Sequence, residues 1–218
     1  MNLDLFADEA PERWTETLAS GAVILHGFAY PEAAVLMSAI TEVIKRAPLR
    51  HMMTPGGHVM SVAMSNCGAL GWVTDESGYR YSPVDPLSGH SWPAMPAVFS
   101  QLAKRAASAA GFENFAPDAC LINRYDVGAR MSLHQDKDER DFSQPIVSLS
   151  LGLGALFLFG GLKRSDRAQR CSLLHSDVVV WGGESRLRYH GILPLKSGAV
   201  PDSVPGEYRF NLTFRKAG

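Results

Sequence analysis

From position 121 onward the sequence is divided into short apolar or alternating runs separated by Gly, Asp or Pro. The runs are 121–125, 130–136, 146–153, 155–159, 172–174, 178–181, 189–194 and 208–214. Each is too short to hold an isolated helix, and turn residues recur between them. Regular short strands of this kind indicate a sandwich or barrel. The first half is different in character. Pro31 opens a helical pattern in which Val35, Leu36, Ile40, Val43 and Ile44 share one face, and Pro48 follows its end. A second pattern runs from Pro93 to Gly111, with Val98, Leu102, Ala106 and Ala109 at helical spacing and Gly111 as the C-terminal cap. Strands are expected at 21–25 and 59–64, a turn at 54–57, and aromatic-bearing segments at Gly71-Trp72 and 78–81.

Within the strand-rich half, His134-Gln135-Asp136 is followed much later by His190. Residues two apart on an extended strand share a face, so His134 and Asp136 can present an imidazole nitrogen and a carboxylate side by side. With a second imidazole, this makes the two-His, one-carboxylate face that leaves positions open on Fe(II) for a co-substrate and O2. His175-Ser176-Asp177 has the same spacing and also precedes His190. Its Ser-Asp pair, however, directly precedes the apolar run 178–181 and reads as turn chemistry opening a buried strand. His134, Asp136 and His190 are therefore the expected metal ligands.

Further motifs surround them: Asn123-Arg124-Tyr125, His134-x-Asp136-x-Asp138-Glu139, the Ser148-Leu-Ser-Leu-Gly152 run, Phe159-Gly-Gly161, Gly182-Gly-Glu-Ser-Arg186 and Arg209-x-Asn211-x-Thr-Phe-Arg215. Together, in this order and over nearly the whole chain, they resemble the AlkB family of alkylated-DNA repair dioxygenases. The resemblance implies an α+β, mainly β fold, with a double-stranded β-helix (jelly roll) core braced by the two helices. It implies one dioxygenase domain over 1–218, in which 1–118 forms an N-terminal extension and nucleotide-recognition part and 119–218 the jelly-roll catalytic core.

The resemblance also implies Fe(II), 2-oxoglutarate and O2 as cofactor and co-substrates. Arg209 suits the distal carboxylate of 2-oxoglutarate, because a guanidinium offers paired donors in carboxylate geometry and keeps its charge. Asn211 and Arg215 follow at even spacing on the same strand face, and Asn123 and Tyr125 complete the co-substrate set by resemblance. The implied reaction is oxidative demethylation of N1-methyladenine or N3-methylcytosine in DNA and RNA, a direct reversal of damage releasing formaldehyde, succinate and CO2.

Methylation at those nitrogens makes the base cationic and blocks pairing, so it is easily extruded and is attracted to π-faces and carboxylates. Trp72 can supply the face, Tyr79 and Tyr81 can stack or hold backbone, and Asp138 can place a negative charge near the base. Arg164 and Thr54 match family positions beside the substrate. Trp181 and Ser148 match positions around the metal pocket, where they pack or support. Arg130 departs from the pattern, standing where Lys is expected; it keeps the charge and changes the geometry.

The chain has 218 residues, 46% of them hydrophobic, enough for one well-buried core. Its net charge of -1 advertises no polyanion partner, so nucleic-acid contact has to come from local clusters. Lys163, Arg164, Arg167 and Arg170 form one, Arg186 and Arg188 another, Arg130 and Lys137 a third; the bland alternative for each is a solvated loop. Cys67, Cys120 and Cys171 are odd in number and widely spread, which indicates reduced, buried thiols and neither a disulfide framework nor a zinc knuckle.

The acidic start at 1–9 lacks the basic and apolar regions of a signal peptide, and the apolar stretch 146–159 is too short and too interrupted to span a bilayer. A cytoplasmic protein is expected, acting on alkylated single-stranded DNA or RNA, with duplex DNA a further candidate, and with no membrane or obligate protein partner. Two competing readings share part of this pattern. An oxygenase acting on a metabolite or protein side chain would share the triad and Arg209 but would not need Trp72, Asp138 or basic loops. A jelly-roll binding module would not need Arg209-x-Asn211.

Overall fold

A computed structural model describes residues 11–218; the acidic start at 1–9, expected to carry no export signal, lies outside the described residues. In chain order, β1 (Thr15–Ala19) and β2 (Ala22–Leu25) form a hairpin and α1 (Ala33–Arg46) follows. Then come β3 (Arg50–Met53), β4 (Val59–Gly68), β5 (Gly71–Asp75) and β6 (Gly78–Ser82), and after them α2 (Ala97–Ala109). The rest is β7 (Ala119–Asp126), β8 (Met131–His134), β9 (Ile146–Gly152), β10 (Ala155–Phe159), β11 (Gln169–Leu173), β12 (Val178–Trp181), β13 (His190–Ile192) and β14 (Tyr208–Arg215). The large sheet runs β1-β2-β12-β9-β14-β7-β4-β3 and the small one β11-β10-β13-β8, while β5 and β6 pair only with each other. The fold is mostly β with two helices and a jelly-roll core, as expected. Strands from the first half, β1 to β4, flank the large sheet on both sides, so the sheet is built from both sides of position 119.

Alternation on β14 shows why the two faces differ. Phe210, Leu212 and Phe214 face the core that α1 and α2 cover, together with Val147, Leu149 and Leu151 of β9 and Ile122 of β7. The intervening Arg209, Asn211, Thr213 and Arg215 point the opposite way and are also buried. A second core, with Ile146, Phe157, Phe159, Val179, Trp181 and Ile192, is built from side chains of both sheets. The polar residues of β14 are thus inside the roll, on a central strand between β9 and β7. Gly152, after which the chain turns from β9 toward β10, has φ +98°, and an added Cβ would lie 2.3 Å from the Tyr208 carbonyl oxygen, so only glycine fits.

Both helices occur where expected, with shifted faces. In α1 the buried positions are Ala33, Leu36, Met37, Ile40 and Val43; Val35 is exposed and Ile44 half-buried. In α2 the buried stripe is Phe99, Leu102, Ala103, Ala106 and Ala107, and Ala109 is exposed. This helix starts at Ala97, four residues after Pro93, because Pro96 disfavours the helical region for Met95 before it. Gly111 closes it with φ +85°, as expected for a glycine past the helix end. The turn at 54–57 is closed by the Gly57 N–H donating to the Thr54 carbonyl at 2.9 Å. The largest discrepancy is β8. It ends at His134, so Asp136 and Asp138 lie in irregular chain beyond the ladder and not on the expected continuous strand.

Candidate active site

His134 and His190 are brought together by direct pairing of β8 with β13, where they are opposite one another. Strand partners sit within side-chain reach, and the two imidazole centroids are 4.3 Å apart. Such close approach requires glycine at 191, where a Cβ would meet the Met131 carbonyl oxygen at 2.7 Å. Asp136 comes from the segment after β8, with Oδ1 3.6 Å from His134 Nε2 and Oδ2 3.7 Å from His190 Nε2. One ligand atom from each of the three lies within 4.8 Å of the others.

The imidazole tautomers follow from their neighbours. His134 Nδ1–H donates to the Ser132 carbonyl at 2.9 Å and His190 Nδ1–H to the Arg188 carbonyl at 3.1 Å. A carbonyl can only accept, so Nδ1 carries a hydrogen in each ring, and Nε2 is the atom that faces Asp136 and is available to a metal. Burial, with His134 beside it, pushes His190 down to about 4, so its ring is neutral at neutral pH. Burial by itself would push the Asp136 carboxyl up, but Arg215, His190 and His134 outweigh it and hold it below the usual carboxylate range. Trp181 packs its indole 4.9 Å from the His190 ring, limiting the ring's rotation. Two imidazole nitrogens and a carboxylate are a suitable donor set for Fe(II).

Arg209, Asn211, Asn123 and Tyr125 share the polar interior beside this group. Arg209 is 1% exposed and its Nη2 donates to Ser150 Oγ at 2.9 Å, while its Nε and Nη1 are buried with no acceptor. Tyr125 lies under the guanidinium, with the ring centroid 5.1 Å from Cζ. A buried cation with two unused donors is costly unless an anion arrives, and a carboxylate presents two acceptors in matching geometry. The residues therefore fit the distal carboxylate of 2-oxoglutarate. Asn211 Nδ2 donates to Ser148 Oγ at 2.7 Å, and Asn123 Nδ2 donates to Asn211 Oδ1 at 3.3 Å, leaving Asn123 Oδ1 unpaired. Arg215, expected beside them, also reaches the metal group: its Nε and Nη2 donate to Asp136 Oδ2 at 3.0 and 2.5 Å. On the same face as Arg209, it holds the carboxylate of the metal-facing Asp136.

The β5–β6 hairpin carries the aromatic residues singled out in the sequence. Trp72 and Tyr79 stack with centroids 5.6 Å apart, and Trp72 Nε1–H donates to Asp138 Oδ2 at 2.7 Å. Tyr81 OH donates to Glu139 Oε1 at 2.7 Å. Trp72 is half-buried and Tyr79 exposed, so they form an open face more than an ordinary core cluster. Arg164 is exposed in the loop between β10 and β11. Thr54 is in the turn after β3, where its Oγ1 accepts from the His58 N–H at 3.2 Å.

His175 and Asp177 have structural roles, as turn chemistry implied. His175 Nδ1 accepts the Gly152 N–H at 3.0 Å, and Asp177 accepts from the Gly27 and Leu174 N–H groups, each at 2.8 Å. Arg186, grouped by sequence with surface cations, is instead buried and donates to Glu139 at 2.9 Å and to the Asp136 carbonyl at 2.7 Å. Arg188 is half-buried and donates to the Gly160 carbonyl at 2.8 Å. Two functional positions had no assigned role in the sequence. Ser150 was legible as a polar residue alternating with Ser148 in an otherwise apolar strand; Glu139 carried no signal beyond its place in the motif.

Comparison with known proteins agrees with this geometry. The profile of the 2OG-Fe(II) oxygenase superfamily matches residues 21–215. The alpha-ketoglutarate-dependent dioxygenase AlkB of Escherichia coli is 60% identical over 216 residues, covering 99% of this chain and 98% of that protein. The AlkB homolog of Caulobacter vibrioides is 41% identical over 182 residues, covering 84% of this chain and 80% of that one. Among solved structures, OsALKBH1 superposes with a TM-score of 0.81 at 28% identity, over 93% of this chain and all of that one.

Proposed function

The chain belongs to the 2OG-Fe(II) oxygenase superfamily and is an Fe(II)- and 2-oxoglutarate-dependent dioxygenase; we propose that it demethylates N1-methyladenine and N3-methylcytosine in DNA and RNA. The similarity to AlkB proteins over full length supports this reading. So does one observation beyond it: an open aromatic face, Trp72 on Tyr79, is tied to a carboxylate, Asp138, two residues past the metal-facing Asp136. A metabolite oxygenase needs neither; a cationic base needs both.

In this reading His134 Nε2, His190 Nε2 and an Asp136 oxygen hold Fe(II), and Arg209 holds the distal carboxylate of 2-oxoglutarate with its two unused donors. Asn123, Asn211 and Tyr125 line the same interior. When bound, iron and 2-oxoglutarate supply O2-dependent oxidation of a C–H bond, with succinate and CO2 as co-products. The protein contributes orientation and exclusion. Arg215 keeps Asp136 ionised and fixed, the two backbone carbonyls keep the imidazoles in their ligand tautomers, and Trp181 limits rotation of His190. Trp72, Tyr79 and Tyr81 present the extruded base, and Asp138 favours its positive charge. Hydroxylation of the N-methyl group gives a hemiaminal that loses formaldehyde and restores the base.

Arg164 and Thr54 would contact the nucleic acid outside this cavity, and residues 71–82 would be the recognition element on the catalytic roll. Extruded single-stranded substrates suit an open aromatic face, and unpaired Cys67, Cys120 and Cys171 suit a reducing cytoplasm. No helix among the described residues is long and apolar enough to cross a membrane. The test is formaldehyde release from a methylated oligonucleotide with Fe(II), 2-oxoglutarate and O2. Release dependent on all three is expected. Turnover of 2-oxoglutarate indifferent to the methylated base would point to a different substrate.

A further inference from the structure

We propose that Glu139 is a positioning residue that couples the β5–β6 hairpin to the metal-binding carboxylate of Asp136. The inference rests on His134, Asp136 and His190 being the metal ligands. Glu139 is buried, and each of its oxygens is engaged. Oε1 accepts from Tyr81 OH at 2.7 Å and lies 3.3 Å from Arg215 Nε, and Oε2 accepts from Arg186 Nη2 at 2.9 Å. Arg215 donates through Nε and Nη2 to Asp136 Oδ2, and Arg186 Nη1 donates to the Asp136 backbone carbonyl. Two guanidinium groups and two carboxylates thus form one buried, charge-balanced cluster. Its connection to the hairpin is the Tyr81 hydroxyl, while Arg186 Nε ties it to the Gln144 carbonyl at 3.0 Å.

The hairpin is also tied on its other side, where Asn66 bonds the Trp72 N–H and carbonyl at 3.0 and 2.9 Å, Thr74 Oγ1 donates to the Met53 carbonyl at 3.1 Å and Trp92 Nε1–H donates to the Ser82 carbonyl at 2.9 Å. It is a separate two-stranded sheet, and a lone hairpin is at best marginally stable in water. Trp72 and Tyr81 are directly opposite one another in it, and their polar partners, Asp138 and Glu139, are consecutive. One rung of the hairpin is therefore fastened to the segment that carries Asp136. The outer tie, to exposed Asp138, is open to competition by an incoming base; the inner tie is buried. Any change in Asp136 as it binds metal is transmitted to Arg215 and Glu139, because a buried cation between two carboxylates cannot relax toward one without weakening its contact with the other. Linkage makes the effect reciprocal, so a fastened hairpin favours the metal-bound arrangement.

The experiment uses the full chain and Mn(II) alone as the probe. Amide hydrogen exchange across residues 71–82 is measured with and without Mn(II), and Mn(II) affinity is measured by electron paramagnetic resonance. A hydrogen bond to a buried charge corresponds to roughly tenfold or more in an equilibrium, so wild-type protection of the hairpin should rise on the order of tenfold with Mn(II). Glu139→Gln removes the charge but keeps an acceptor for Tyr81, and Tyr81→Phe removes the hydroxyl but keeps the ionic cluster. In both, the Mn(II)-dependent rise should vanish and Mn(II) should bind about tenfold more weakly.

A purely structural role for Glu139 would speed exchange equally with and without Mn(II), leaving the ratio intact. A retained ratio, or wild-type Mn(II) affinity, in Tyr81→Phe would overturn the inference, and that variant decides the matter if Glu139→Gln does not fold. Mn(II) binding to the wild type with no change in hairpin exchange would overturn this inference alone. Failure of the wild type to bind Mn(II) would overturn the ligand assignment as well.

Discussion

Replacing Arg209 by Met should move stability and co-substrate binding in opposite directions. Without co-substrate, the guanidinium is 1% exposed with two of its three nitrogens unpaired, a desolvated charge compensated only by the Ser150 hydroxyl and the Tyr125 ring. Met fills similar length with no polar atoms, and exchanging a buried ionic group for a packed apolar one is often neutral or stabilising by ~1–4 kcal/mol. Loss of the Ser150 contact offsets about 1 kcal/mol of that. The net gain expected in the co-substrate-free protein is ~0–3 kcal/mol, a rise of roughly 0–12 °C in Tm for a chain of this size.

The co-substrate-bound state responds the other way. Its carboxylate is left buried and unpaired, which typically costs ~3–5 kcal/mol and weakens binding by about 150-fold to 5000-fold. The assay is calorimetric titration of Mn(II)-loaded protein with 2-oxoglutarate, alongside thermal melts of both proteins without it. A destabilised variant that binds 2-oxoglutarate normally would refute the argument, because it would mean that Arg209 is a structural cation and the carboxylate is held elsewhere.

Substituting His134, Asp136 or His190 by Ala should abolish Fe(II)-dependent turnover, whereas His175→Ala should remain active and lose ~1–3 kcal/mol of stability through the orphaned Gly152 N–H, as read by chemical denaturation. Burial lowers the His175 pKa in the folded state below its ordinary 6.5. The unfolded chain then binds more protons, so this contribution is present above about pH 6.5 and is lost as pH falls through the folded value; His175→Leu should flatten that part of the stability profile. Asp138→Asn keeps an acceptor for the Trp72 indole but removes the charge, so kcat/KM for cationic lesions should fall ~5-fold to ~150-fold relative to neutral ones. Equal losses on both lesion types would remove Asp138 from base recognition. Gly191→Ala should force β13 from β8 and weaken Mn(II) binding by at least about tenfold, since the new Cβ meets backbone and not a flexible side chain.

Periodicity in the sequence located most strands, though not β1 or β3, and sorted the faces of β14, because alternation is a property of the extended backbone itself. Arg209, Asn211 and Arg215 had to share a face once 208–215 was a strand. The pairing of His134 with His190, and the structural role of His175-Ser176-Asp177, followed from motif and turn chemistry in the same way. Helix faces were less legible: Met37 replaced Val35 and Ala107 replaced Ala109 on the buried sides, because the covering sheet, not the apolar count, chooses which neighbouring stripe is buried.

Only the tertiary structure decided the ionic partners. Asp136 reaches the metal group from irregular chain, where period-two reasoning has no force. Arg186 looks in sequence like a surface cation, and nothing in the sequence pairs Arg215 with Asp136 or Glu139. Packing buries both against Asp136 and Glu139, residues distant in sequence from either. Local sequence carries backbone preference and side-chain period. Which charge meets which depends on where the two sheets and the β5–β6 hairpin bring distant segments together, and burial, which makes those charges consequential, exists only once the roll has closed.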